Sequence, residues 1–80
     1  MDYQGFINGI DVIATAGKSV RCLAFVNKVR GGAEYIQVET EEHRLQTALE
    51  LACSEHTKVE VSYAEKGGLK VLSRVRLLDR

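Results

Sequence analysis

The stretch "DVIATAGKSVRCLAF", Asp11 to Phe25, decides the fold. Its centre, Gly17-Lys18-Ser19, matches the tail of a phosphate-binding loop. That motif needs a glycine five residues before its Gly-Lys pair, and the residue there is Val12. It also needs a helix directly afterwards, because helix N-terminal amides help hold the phosphate. The next residues are instead "VRCLAFV", which is β-branched and apolar. Both requirements fail, so the stretch reads as two strands joined by a two-residue turn, Gly17-Lys18, with glycine supplying the positive φ. Lys18 becomes an exposed turn residue, and the enzyme reading loses its main support.

On either side of this turn, "IDVIATA" (10–16) and "SVRCLAFVNKV" (19–29) are the first two strands. The second is apolar on both faces from Leu23 to Val26, as a doubly covered strand is. "RGG" (30–32) marks a second hairpin tip. "AEYIQVE" (33–39) alternates, with Ile36 and Val38 on one face and Tyr35, Gln37 and Glu39 on the other. The period then changes. Thr40 is placed to cap a helix over 41–55, with Glu41 and Glu42 where the helix dipole favours acids. Leu45, Ala48, Leu49 and Ala52 form its apolar stripe.

"KVEVSYAE" (58–65) alternates again, with Val59, Val61 and Tyr63 on one face. "KGG" (66–68) marks a third hairpin tip, and "LKVLSRVRLLD" (69–79) is the last strand. There Leu69, Val71, Val75 and Leu77 take one face. Lys70, Leu72, Arg74, Arg76 and Leu78 take the other.

Three strands, a helix and two strands in one domain, 1–80, predict an α+β, mainly β fold. The expected form is a small five-stranded antiparallel OB-like barrel with the helix between strands three and four. An open antiparallel sheet with the helix on one face is the alternative. Barrel closure removes edge strands and is preferred.

Composition narrows the function. Eleven Lys and Arg balance eleven Asp and Glu, which argues against non-specific nucleic-acid binding, since that draws its affinity from phosphate neutralisation. No stretch approaches a membrane span. The opening "MDYQGFING" shows no signal peptide, so the expected compartment is the cytoplasm, or outside it if a leader was removed. The two cysteines, Cys22 and Cys53, read as reduced thiols rather than a disulfide.

Candidate sites are few. Cys53 and His56, three apart at the helix end, are the metal candidates. A closed zinc site needs four ligands and no other pair has ligand spacing, so neither a metal nor any cofactor is expected. No nucleophile elbow is present, and no catalytic residue is assigned. Lys58, Lys70, Arg74 and Arg76 are the anionic-ligand candidates, with Glu60 on the neighbouring face to neutralise them. An OB-type binder of single strands stacks bases on aromatics. Only Phe25, Tyr35 and Tyr63 stand in suitable strands, and there is no Trp. Leu51, Leu72 and Leu78 are left over once the core is filled and are the interface candidates.

The succession "SVRCLAFVNKV", "AEYIQVE", "EEHRLQTALELACSEHT" and "KVEVSYAEKGGLKVLSRVRLL" resembles the OB-fold B-subunits of bacterial AB-type toxins in the order of its elements. The resemblance covers Ser19 to Leu78. It implies a barrel and a homo-oligomeric ring, with helices facing the axis, Leu51 as an inter-helix contact and the last strand's edge against the next subunit. No cysteine precedes the long strand to form those subunits' usual disulfide. Without a tryptophan to stack on a sugar, glycan binding transfers to no residue.

The expected function is therefore a non-enzymatic, self-associating binding or assembly module. A binder of single-stranded nucleic acid or another anionic ligand is the alternative, and a small metal or thiol protein the second. Fold alone does not choose among them.

Overall fold

A computed structural model describes residues 1–78. Its order is β1 (Asp2–Ile13), β2 (Arg21–Asn27), β3 (Tyr35–Thr40), α1 (His43–Glu55), β4 (Lys58–Lys66) and β5 (Leu69–Leu77). The sheet closes as β1-β2-β3-β5-β4, an OB-like barrel with the helix between β3 and β4. Pairing is antiparallel throughout except at β3 and β5, which run parallel. The barrel is thus mixed rather than wholly antiparallel. Around a closed ring of five strands the direction cannot alternate at every step, so one neighbouring pair must run parallel.

The expected first strand, 10–16, is the far half of a longer one. β1 pairs with β4 through Asp2 to Phe6 and with β2 through Phe6 to Ile13. The strand changes partner at Phe6, which pairs with both Lys58 and Asn27, and β2 comes closest beside it at Gly5. A Cβ there would collide with the backbone carbonyl of Asn27, so only glycine lets β2 come so near. The first hairpin exists, but its connection runs over residues 14–20 rather than two residues. Its turn is closed by the Lys18 amide donating to the Thr15 carbonyl at 3.0 Å. The two-residue turn is instead the third one. Gly67 and Gly68 both have positive φ, and Lys66 pairs directly with Leu69.

Two register shifts reverse the alternation. One lies between Ile7 and Gly9 of β1, the other opposite Ser62 and Tyr63 in β5. Through the second, Tyr63 faces Leu72 while Ser62 faces Arg74, so Ser73 is the extra residue. Leu72 and Val75 therefore both point inward, and the single face expected for Leu69, Val71, Val75 and Leu77 does not exist. Leu69 is exposed, Leu72 is only 4% exposed, and the last described residue, Leu78, lies just past the strand. Asp79, expected in the last strand, lies outside the described residues.

The core unites Cys22, Ala24 and Val26 of β2, Val38 of β3, Val59, Val61 and Tyr63 of β4, and Leu72. α1 contributes Leu49 and Ala52, with Leu45 packed beside them, three residues of the expected stripe; the fourth, Ala48, is half-buried. Each fully buried Val or Leu stabilises the fold by roughly 1.5–3 kcal/mol. The helix starts later than expected. Glu42 is its N-cap, and no acid lies in its first turn. Thr40 acts one step earlier, its Oγ1 accepting from the Glu42 amide at 2.9 Å. At the other end His56 adopts the left-handed conformation, φ 53°. Its amide and that of Thr57 donate to the Cys53 and Ala52 carbonyls, closing the helix.

Candidate functional site

The four basic candidates do not form one patch. Arg74 and Arg76 lie outward on β5 beyond the bulge. Both meet Glu60 Oε1, at 3.8 and 3.0 Å. Gln4 Nε2 donates to the other oxygen of the same carboxylate at 3.1 Å. Lys70 lies before the bulge, with the opposite parity, and pairs with Glu65 at 4.0 Å. Lys58 begins β4 at the far end, where its carbonyl accepts from the Leu78 amide. The structure thus brings Arg74 and Arg76 together around one shared acid and leaves Lys58 and Lys70 apart.

The interface candidates also separate. Leu51 is 51% exposed on the helix. Leu72 is a core residue, because the bulge at Ser73 turns it inward. Leu78 is half-buried. Among the aromatics, Tyr63 faces into the barrel, whereas Phe25 and Tyr35 meet on the outer face of β2 and β3. Their rings stand edge to face at 6.0 Å. The cations beside them are engaged, Arg21 with Glu39 at 3.3 Å and Lys28 with Glu34 at 3.7 Å.

Cys22 is buried, and burial pushes its thiol pKa up, with the Glu50 and Asp11 carboxylates adding to the rise. A thiol held neutral is a poor nucleophile. Cys53 is half-buried and His56 exposed. No group of three or more His, Cys, Asp or Glu side chains able to hold a metal occurs among the described residues.

Cys53 and His56 instead share a cleft of about 450 Å³ where the helix end meets Phe6, Ile7 and Asn8 of β1. Phe6, Ile7 and Asn8 come from β1, Asn27 from the end of β2, Arg30 and Gly31 from the loop after it, and Thr57 from the turn into β4. Arg30 lies 5.3 Å from the Phe6 ring centroid and donates through Nη2 to the His56 carbonyl at 3.1 Å. Asn27 is 6% exposed. Its Nδ2 donates to the Gly32 carbonyl at 2.8 Å, and its Oδ1 meets no donor of the chain. Leaving such an acceptor unpaired costs about 1–3 kcal/mol. The cleft escapes sequence reading because its walls come from three separate segments, 6–8, 27–31 and 53–57; the glycine-marked loop at 30–32 is the only local signal.

Among the described residues no helix is long and apolar enough to cross a membrane. Comparison with protein-family models, with curated proteins and with solved structures gives no match.

Proposed function

We propose that this chain is a non-enzymatic, self-associating module in which the open edges of β3 and β5 on neighbouring copies pair. The observation that carries the reading is the narrow seam between these strands. They are aligned at Glu39 and Val71 alone. Beyond that pair, and among the described residues, β3 has no second strand partner from Tyr35 to Val38, and β5 has none from Leu72 to Leu77. Unpaired strand edges are templates for another chain. Two different edges on one chain make a head-to-tail contact, which generates a ring when the rotation closes. Tyr35 on β3, Leu77 on β5 and Leu51 on the helix are exposed apolar side chains available to that contact.

Light scattering on the eluting protein tests it. A mass that is a multiple of 8.9 kDa, falling towards one chain in Tyr35→Lys, Leu77→Lys or Leu51→Glu, is expected. A single-chain mass for the unmodified protein, or a multimer indifferent to all three changes, overturns it.

A second reading rests on the Phe25–Tyr35 pair. In OB-type folds the face of strands two and three takes oligonucleotides and oligosaccharides. An OB-type binder of a single-stranded or anionic ligand would use these rings for stacking and the Arg74 and Arg76 guanidinium groups of β5 for the charge. Fluorescence anisotropy with a labelled single strand at low salt tests it. Binding that weakens with salt and with Phe25→Ala supports the reading, and no binding removes it.

A further inference from the structure

We infer that the β1–β2 hairpin of one copy lies in a cleft beside Glu41 of a second copy, and that the exchange is mutual. Every residue from Asp11 to Arg21 is exposed, although Val12, Ile13 and Val20 are among them. Single exposed apolar side chains are ordinary, but three at one hairpin end make a surface that burial stabilises. From Val12 to Arg21 the hairpin carries two cations, Lys18 and Arg21, and no acid. Arg21 is engaged by Glu39, whereas Lys18 has no carboxylate within ion-pair distance among the described residues.

The matching surface adjoins it at Glu41. A cleft of about 220 Å³ opens beside the seam, between the end of β3 and the start of β5. Leu69 and Val71 are its apolar walls, Glu39 and Glu41 supply carboxylates, and among the described residues no cation lines it. Glu41 is exposed and, like Lys18, has no ion-pair partner among the described residues. The hairpin is thus apolar and cationic where the cleft is apolar and anionic, and complementary charge fixes a partner and its register. Ile13 and Lys18 border a neighbouring cleft that Glu41 also lines, so hairpin and seam cleft flank one glutamate. Two surfaces so placed satisfy each other in a pair of copies related by a two-fold axis. Lys18 of each copy then meets Glu41 of the other, and Ile13 and Val20 cover the other's Leu69 and Val71. The inference rests on self-association, but through a contact separate from the β3 and β5 edges.

Carbodiimide cross-linking of an equal mixture of isotope-labelled and unlabelled chains tests it, because a peptide pair of mixed label arises only between copies. A mixed Lys18–Glu41 link is expected. In sedimentation equilibrium Lys18→Glu and Glu41→Lys should each weaken association on the order of tenfold, since the pair occurs twice per dimer. The double exchange should restore it, and Lys28→Glu, past the other end of β2, should change nothing. A Lys18–Glu41 link confined to single chains, no such link, or a double exchange no better than either single change overturns the inference. So does binding of the hairpin to anionic vesicles without a link between copies. Multimers that dissociate in Tyr35→Lys and Leu77→Lys but not in Lys18→Glu leave the edge contact standing and remove this one. The opposite pattern removes the edge contact alone, and a single-chain mass for the unmodified protein removes both.

Discussion

Glu39 and Val71 face each other as the one aligned pair between β3 and β5, and the barrel closes through them. Glu39 is nearly buried there, its side chain 11% exposed, with the Arg21 Nε 3.3 Å from its Oε2. A nearly buried carboxylate at the seam thus takes its cation from β2, the strand on its other side. Arg21→Met leaves that carboxylate without its counter-charge. Arg21 itself is partly solvated, which trims the effect to about 1–2 kcal/mol. Urea denaturation should show that loss, and a smaller one for Glu39→Gln. Equal stability of Arg21→Met and the parent would mean that water, not Arg21, satisfies Glu39.

Leu72, left over from the core by strand periodicity together with Leu51, is a core residue, whereas Leu51 stays exposed on the helix as expected. Leu72→Ala should cost about 2–4 kcal/mol, as buried leucines do. Leu51→Ala should leave single-chain stability within about 0.5 kcal/mol. Paired thermal melts decide the matter, and a mild Leu72→Ala would place the bulge elsewhere.

Gly5 lies one residue before the point where β1 changes partners. Gly5→Ala drives a methyl into the Asn27 carbonyl, a backbone atom that cannot rotate away. A loss of at least about 2–3 kcal/mol is expected. Gly9→Ala is the comparison, since a Cβ there meets only the Phe25 side chain at 3.8 Å. If the two variants melt together, the Asn27 carbonyl does not approach Gly5 this closely.

Cys22 sets a slope at alkaline pH. Its pKa is raised by burial first, so the folded chain keeps the thiol proton after the unfolded chain has lost it. The stabilisation is complete below the unfolded thiol value, about pH 8.5, and declines as pH rises through the higher folded value. Denaturation midpoints should fall as the pH rises past the ordinary thiol value, with a shallower fall in Cys22→Ala. In the native protein at neutral pH, a disulfide reagent should label Cys53 readily and Cys22 only as the chain opens. Equal labelling rates would refute the burial.

The order of elements, the helix stripe and the three glycine-marked connections were all legible from local pattern. Val59, Val61 and Tyr63 alternate without interruption, and β4 emerges with its inward face as read. Legibility ended at the two bulges. An extra residue at Ser73 carries no signature of its own, yet it turns Leu72 inward and sets Lys70 apart from Arg74 and Arg76. The first half of β1 was hidden for a related reason. "DYQGFING" breaks its alternation at Asn8 and contains two glycines, which read as loop. One of those glycines is the tight approach that lets the strand serve two neighbours. The cleft could not be seen at all, because Phe6, Asn27, Arg30 and Cys53 meet only after the barrel has closed.

The divided loyalty of β1 also sets a timetable. Its second half can zip onto β2 as soon as residue 27 has been made. Its first half must wait for β4, some fifty residues downstream, because Tyr3 pairs with Val61 and Gly5 with Val59. During synthesis residues 2–6 thus leave the ribosome well before the β4 residues they pair with. The growing chain carries them as an idle arm until nearly the whole domain exists.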